Sequence, residues 1–194
     1  MTLEWDVEHR IVAYDHPQHG IFVACYMPAV GRKKPDRPRD ALQMRLRYQA
    51  ALSHFLAQHR LRVRLVLGDM NVAAATVDCS TGDEWGKYFL DFDYTTKAPG
   101  DWQRRAQTLQ ACHKELLERS GLVDAWRARH DEQSFTSFQV VNSYALKGWK
   151  ARVDLVLVPV AQLAGADARI FSEIEANQVP RKSDHVPVGV RLVL

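Results

Sequence analysis

The sequence lacks the features of a membrane-spanning or secreted protein. Its 194 residues contain no run of 18 apolar residues, the length that a transmembrane helix needs. The N-terminal segment carries Glu4, Asp6 and Glu8 and matches neither a signal peptide nor an arginine-rich transit peptide. The cysteines are few, odd in number and without metal-ligand spacing: Cys25, Cys79 and Cys112. We therefore expect an intracellular protein with reduced thiols and no membrane partner.

The sequence also lacks internal repeats, low-complexity tracts and any composition change that marks a domain boundary. A hydrophobic fraction of 46% is sufficient for one core, which predicts a single domain over residues 1–194. Strands are predicted at residues 10–14, 20–26, 62–67, 152–158 and 186–194. Helices are predicted after Asp40 and Asp101, because apolar residues recur there every three or four positions. The polar, irregular residues 76–100 indicate a long surface insertion.

Positive charge is concentrated in one part of the chain. Residues 31–64 hold ten Lys or Arg residues but only two Asp residues, although the net charge of the whole chain is only +3. A block of this kind suits a polyanion such as nucleic acid, and it equally suits a solvated loop and helix face.

An acidic and an amide side chain follow the apolar strand at residues 62–67. Asp69 and Asn71 stand two positions apart after Gly68, so on an extended segment they point in the same direction. They predict an acceptor and a donor that face one pocket at the end of a strand. A simple Asp-x-Asn turn is the alternative.

Three further segments carry polar groups in suggestive positions. Asp184 and His185 precede the last strand, where an imidazole can exchange protons near neutral pH and a carboxylate can bind a metal. Asp154 lies among apolar residues and has two interpretations: it pairs with Arg152, or it orients a histidine. Tyr26 ends the second strand, where its phenol can donate to a phosphate oxygen or pack in the core.

The order of these segments resembles that of the endonuclease/exonuclease/phosphatase superfamily, and most nearly the exonuclease III-like abasic-site endonucleases. The pattern reads Tyr-x-Pro, Gly-Asp-x-Asn-Val-Ala, Arg-x-Asp and Ser-Asp-His-x-Pro-Val, and it extends from about residue 10 to residue 194. Residues 77–78 and 121–127 favour the abasic-site branch. The resemblance implies an α/β (α+β) fold, a four-layer sandwich of two packed sheets flanked by helices. It also implies a phosphodiester hydrolase that acts on DNA, or RNA, with Mg²⁺ or Mn²⁺.

The resemblance implies a role for each catalytic candidate. Asp69 would position or deprotonate the attacking water, and Asn71 would hydrogen-bond the phosphate. His185 would contact the scissile phosphate, with Asp154 orienting its ring. Tyr26 would stabilise charge on the phosphoryl oxygens.

The resemblance also implies residues that bind the metal and the nucleic acid. Asp184 would lie on the metal side of the site. Arg32, Lys33 and Lys34 would contact the phosphate backbone, and Trp149 would help to form the pocket for an extruded sugar.

The chain departs from the family pattern at its N-terminal end. Family members carry an Asn and then a metal-ligand Glu upstream of the first strand seen here, and we expect this chain to start after both. Ala29 also replaces the Asn that usually follows Tyr-x-Pro. The sequence is therefore compatible with an active hydrolase, with a weakened one, and with a non-catalytic nucleic-acid-binding remnant. An endonuclease of a mobile element and a phosphatase of the same superfamily are further alternatives.

Overall fold

The computed structural model describes residues 3–6, 8–29, 41–80, 101–141, 144–171 and 185–193, and it describes side chains there except at 101–103, 138–141 and 144–149. The helices in these ranges are α1 (Ala41–Gln58) and α2 (Asp101–Ser120). The strands are β1 (Ile11–His16), β2 (Gly20–Tyr26), β3 (Val63–Asp69), β4 (Leu122–Asp124), β5 (Ser137–Val141), β6 (Tyr144–Ala151), β7 (Asp154–Pro159), β8 (Ala166–Ile170) and β9 (Val188–Leu192). Two short 3₁₀ helices cover Thr76–Asp78 and Val160–Gly165.

The central element is a five-stranded mixed sheet with the strand order β1-β2-β3-β7-β4. β1 and β2 form the predicted antiparallel hairpin, with His16 opposite Gly20. β2 and β3 are parallel, and β7 runs antiparallel to both β3 and β4. Two smaller antiparallel sheets consist of β5 with β6 and of β8 with β9.

Strand β7 shows how the layers are held together, because both of its faces are buried. Leu155 and Leu157 point into the core beneath the helices, which they share with buried residues of α1 and α2. Val156 and Val158 point the other way, into a second cluster with the β8–β9 hairpin. This alternation follows from the two-residue period of a strand. The expected α/β sandwich is therefore confirmed. No helix in the described ranges is long and apolar enough to cross a membrane.

The buried faces of the helices are more polar than the sequence pattern predicted. Two of the apolar residues whose three- and four-residue spacing predicts the helix after Asp40, Met44 and Ala51, are only partly buried. Instead Arg45, Gln49 and Ser53 are buried beside the large apolar side chains of that helix. Apolar periodicity missed them because buried polar residues are tolerated where they find partners, as Arg45 does with Gln49.

Residues 76–100 were predicted to form a surface insertion, and this prediction is wrong for two of the five described residues of that segment. Asp78 and Cys79 are both fully buried. The remainder, residues 81–100, lies outside the described residues, as does the predicted helix cap at Asp40. Strands β4, β5, β6 and β8 were not predicted, because they are short or lack a clear alternation of apolar residues.

Arg152 does not pair with Asp154, so that interpretation of the sequence is wrong. Its guanidinium donates to both carboxylate oxygens of Asp78, over 2.7 and 3.0 Å, and contacts Asp124 at 2.7 Å. Arg127 also binds Asp78. Arg152 and the two acids are almost completely buried, so two cations and two anions satisfy one another inside the protein.

Candidate active site

The end of β3 forms a tight turn that joins Asp69 to Asn71. The Asn71 backbone N–H donates to Asp69 Oδ1 over 2.8 Å, and the Asn71 side-chain amide donates to Asp69 Oδ2 over 2.9 Å. The same amide group donates to the carbonyl oxygen of Met27 over 2.8 Å, which ties the turn to the end of β2. The turn, one of the two alternatives that the sequence offered, is therefore present, and both donors of the Asn71 amide are used within the protein.

The turn depends on two unusual backbone positions. Gly68 has φ +143°, and a Cβ there would lie 2.0 Å from the carbonyl oxygen of Cys25 on β2, so no other residue fits. Asn71 has φ 45°, in the left-handed region that asparagine tolerates better than most residues. Glycine lets β3 lie close against β2, and asparagine turns the chain directly after the Asp69 carboxylate.

Sheet register brings Tyr26 and Asp154 to the same place. Asp69 is the register partner of Tyr26 in the parallel β2–β3 pair and of Asp154 in the antiparallel β3–β7 pair. The Tyr26 side chain is half exposed, and the Arg10 guanidinium lies 5.1 Å from its ring centre. The predicted core position of this tyrosine is therefore ruled out, and its phenol is open to a ligand.

His185 completes the group through Asp154. His185 Nδ1 and Asp154 Oδ2 are 2.8 Å apart. A carboxylate accepts a hydrogen bond from Nδ1–H, so in the neutral ring Nε2 is the unprotonated nitrogen. The hypothesis that Asp154 orients a histidine therefore agrees with the geometry, whereas pairing with Arg152 does not.

Thr136 holds the histidine segment against β7, and sequence reasoning missed it. The completely buried Thr136 accepts the backbone N–H groups of Val153 and Asp154 on its hydroxyl, over 3.1 and 3.0 Å. Its carbonyl accepts the N–H of Val186 over 2.8 Å. One residue thus fixes both the acid and the backbone next to the imidazole. Thr136 lies between two strands that the sequence does not predict, and no motif surrounds it, so a single sequence does not indicate its role.

The surroundings of Asp69 raise the pKa of its carboxyl group. Burial and the negative charge of Asp154 raise the pKa of Asp69 to about 7. The N–H bond from Asn71 and the charges of His185 and Arg45 act in the opposite direction. A carboxylate with its pKa near neutrality can both take and release a proton under physiological conditions.

The remaining candidates lie beyond what the structure describes. Asp184, Arg32, Lys33 and Lys34 fall outside the described residues. Trp149 belongs to β6, and its side chain is likewise not described. Within the described ranges, no group of three or more His, Cys, Asp or Glu residues is arranged to hold a metal ion.

Sequence comparison and structure comparison give different results. No protein-family model matches the sequence, and no curated protein matches it at a significant level. Solved structures do match. A 3'-5' exonuclease (NExo) from Neisseria meningitidis has a TM-score of 0.70 at 24% identity over 94% of this chain. A structure of the 3' phosphatase NExo from Neisseria, bound to product DNA hairpin, has a TM-score of 0.69 at 24% identity over 95% of this chain.

An AP endonuclease from Archaeoglobus fulgidus has a TM-score of 0.73 at 20% identity and covers 100% of this chain. The chain spans only 64% and 65% of the two Neisseria structures and 69% of the archaeal one. At these identities the likeness establishes the fold. The chain therefore has the α/β sandwich fold of these DNA-processing enzymes.

Proposed function

We propose that the chain is a divalent-metal-dependent phosphodiesterase that acts on DNA, of the exonuclease III type. The observation that carries the proposal is the convergence of the Asp69–Asn71 turn with the Asp154–His185 pair at one end of the sheet. Fold alone would not support a reaction, because one fold hosts many functions. The three solved structures with this fold are described as enzymes that process DNA, which supports DNA as the substrate class.

Asp69 is the proton acceptor in this proposal. Its pKa of about 7 means that the carboxylate and the acid are both populated near neutral pH. Water attack on a phosphodiester requires a group that orients the water and accepts its proton. Asn71 fixes the carboxylate through two hydrogen bonds, which leaves less freedom for it to turn away from the phosphate.

His185 and Tyr26 act on the phosphate oxygens. Asp154 holds Nδ1 of His185, which directs the opposite ring nitrogen, Nε2, away from β7. A protonated imidazole and a phenol are both donors to the negative charge that builds up on phosphorus-bound oxygens. Asp154 stabilises the imidazolium form in the same way that the acid of a catalytic triad does.

The charge of the site fits a hard divalent cation. Asp69 and Asp154 are register partners, and the charge of Asp154 raises the pKa of Asp69. Such an excess of negative charge is what Mg²⁺ sites provide, with one or two carboxylates and several waters. We propose Asp184 as the carboxylate that holds the ion. When bound, Mg²⁺ or Mn²⁺ supplies Lewis-acid stabilisation of the phosphoryl oxygens.

The test uses the purified chain and three labelled DNA substrates: a duplex with an abasic-site analogue, a recessed 3' end and a 3'-phosphate. We expect cleavage of at least one of them with Mg²⁺ or Mn²⁺, and none with EDTA. The preferred substrate then separates abasic-site incision from 3'-end trimming and from 3'-phosphate removal. A folded chain that processes none of the three contradicts the proposal.

Two matched pairs of variants assign the activity to the site. Asp69→Asn and His185→Ala should each lower the rate by roughly 10²- to 10⁴-fold, the range for loss of a proton-transfer group. The controls are Asp167→Asn on β8 and His54→Ala on the exposed face of α1, which should retain full activity. Turnover that survives both site substitutions would show that the reaction occurs elsewhere.

A further inference from the structure

Arg45 on α1 is a buried cation with an unusual set of partners. Its side chain is 1% exposed, and in the described part of the chain it forms no ion pair with a carboxylate. It donates to the side-chain oxygen of Gln49 and, through Nη2, to the carbonyl oxygen of Met70 over 2.8 Å. Burial lowers the pKa of Arg45 to about 10, so the guanidinium stays charged at neutral pH. Burying such a charge is unfavourable, so we looked for a role of the Arg45 side chain in the residues that it contacts.

The carbonyl that Arg45 binds belongs to the catalytic turn. Met70 lies between Asp69 and Asn71, and its carbonyl forms one peptide group with the Asn71 N–H. That N–H donates to Asp69 Oδ1 over 2.8 Å. A single peptide plane therefore contacts a guanidinium at its oxygen and a carboxylate at its nitrogen.

This arrangement strengthens the hydrogen bond to the carboxylate. A cation at a carbonyl oxygen draws electron density towards that oxygen and makes the N–H of the same amide a better donor. The bond from Asn71 to Asp69 then favours the ionised carboxylate more than an isolated N–H would. The positive charge of Arg45 also acts on Asp69 directly, in the same sense.

The contact of Arg45 with the Met70–Asn71 peptide, called the clamp below, also fixes an unfavourable backbone conformation. Asn71 has φ 45°, in the left-handed region that residues other than glycine rarely adopt. Four hydrogen bonds hold it in place: Arg45 to the preceding carbonyl, the Asn71 N–H and side-chain amide to Asp69, and the same amide to Met27. Of these, only the first comes from outside the strand ends, and it comes from the rigid helix α1.

We propose that Arg45 is a positioning residue for the catalytic turn: it holds the Met70–Asn71 peptide so that the Asn71 N–H faces Asp69 and supports the ionised carboxylate. Its part in catalysis rests on the proposed function, whereas its effect on Asp69 does not. Arg45 is buried beneath the sheet, so it acts through Asp69 and does not contact DNA.

The experiment compares Arg45→Met, Arg45→Lys and a control, Arg47→Met. The control removes the same charge from an exposed position of the same helix. The carboxyl ¹³C signal of Asp69, assigned by its loss in Asp69→Asn, is titrated by NMR without metal or DNA. We expect a midpoint near 7 in the unsubstituted protein and in Arg47→Met. In Arg45→Met it should rise by roughly one pH unit or more, as for loss of a nearby opposite charge.

Arg45→Lys separates charge from geometry. Lysine keeps the charge but offers a single ammonium in place of the planar guanidinium, so we expect an Asp69 midpoint between those of Arg45→Met and the parent. The Asn71 amide proton should move upfield in both variants as its hydrogen bond weakens. If Arg45→Met does not fold, the test rests on Arg45→Lys. An unchanged chemical shift of the Asn71 amide proton in Arg45→Lys then refutes the clamp. A folded Arg45→Met with an unchanged Asp69 midpoint also refutes it, because Arg45 would then only support packing.

The pH profile of DNA cleavage links the clamp to catalysis. In Arg45→Met the acidic limb of kcat should move to higher pH by the same amount as the Asp69 midpoint, with KM for DNA unchanged. A lower kcat without a displaced limb would indicate a structural defect alone. If the parent cleaves no DNA, the proposed function fails, whereas the NMR titration still decides the role of Arg45.

Discussion

Replacing Asp69 with asparagine should stabilise the protein above neutral pH while it removes activity. Burial and the charge of Asp154 raise the pKa of Asp69 from its ordinary 3.8 to about 7, so ionisation is harder in the folded chain than in the unfolded one. The stability linked to this group is fully present below about pH 4 and is lost as the pH rises through 7. The two pKa values set an upper limit of about 4 kcal/mol for that loss at pH 8.

Asparagine does not ionise, so it avoids this loss. Its side-chain oxygen still accepts the Asn71 N–H, but its amide group cannot accept the second bond from the Asn71 side chain. An unmade buried hydrogen bond costs about 1–3 kcal/mol. We therefore expect a net gain of about 1–3 kcal/mol at pH 8 and a net loss near pH 4.5, where the aspartate is largely protonated in the folded state.

The assay is urea denaturation of the parent, Asp69→Asn and, as a control at a half-buried carboxylate of β8 outside the site, Asp167→Asn at both pH values. The control should shift the free energy of unfolding little at pH 8. The reasoning is refuted if Asp69→Asn is less stable than the parent at pH 8, or if its effect is the same at both pH values. Either result would mean that the carboxylate is not destabilised by its surroundings.

Three further substitutions test parts of the fold that support the site. Gly68→Ala should lower the free energy of unfolding by more than about 2 kcal/mol in urea titrations, because its Cβ would lie 2.0 Å from a backbone oxygen of β2; a smaller loss would show that β3 can shift. Asp78→Asn leaves Arg152 partly uncompensated and should cost about 3–5 kcal/mol in the same assay, with a near-zero effect ruling out the buried ion cluster. His113 is 2% exposed, neither ring nitrogen has a hydrogen-bond partner among the described residues, and burial lowers its pKa to about 4. The stability that the neutral His113 ring contributes is present above pH 6.5 and is lost as the pH falls. By thermal unfolding, the stability of His113→Leu relative to the parent should therefore rise by about 2 kcal/mol from pH 8 to pH 5. An equal difference at both pH values would contradict this.

The turn at Asp69 and Asn71, one of the two alternatives for that segment, could be predicted because its signals are local. Gly68, Asp69 and Asn71 follow an apolar strand, and the required backbone angles are encoded by glycine and asparagine at those positions. Asp154 and His185 were each ambiguous, since nothing in a single sequence says that β7 pairs with β3 in a register that places Asp154 opposite Asp69.

Residues that act from beneath the site could not be predicted. Arg45 belongs to a block of positive charge, and in the sequence it is indistinguishable from the exposed Arg47 two positions away. Thr136 lies between strands that have no strong periodicity. The partners of Arg152 come from positions 78 and 124, so sequence proximity pointed to Asp154 instead. Contacts of long sequence separation decided each of these cases.

The register that assembles the site also determines when in folding it can exist. Asp69 and Asn71 leave the ribosome long before Asp154 and His185, and the two pairs come together only when β7 has inserted between β3 and β4. Such non-local pairing forms slowly, because the loop-closure entropy must be overcome first. A nascent or partly unfolded chain therefore carries the acidic turn without the histidine that completes it. If the chain is the hydrolase proposed above, its activity begins only when β7 has joined the sheet.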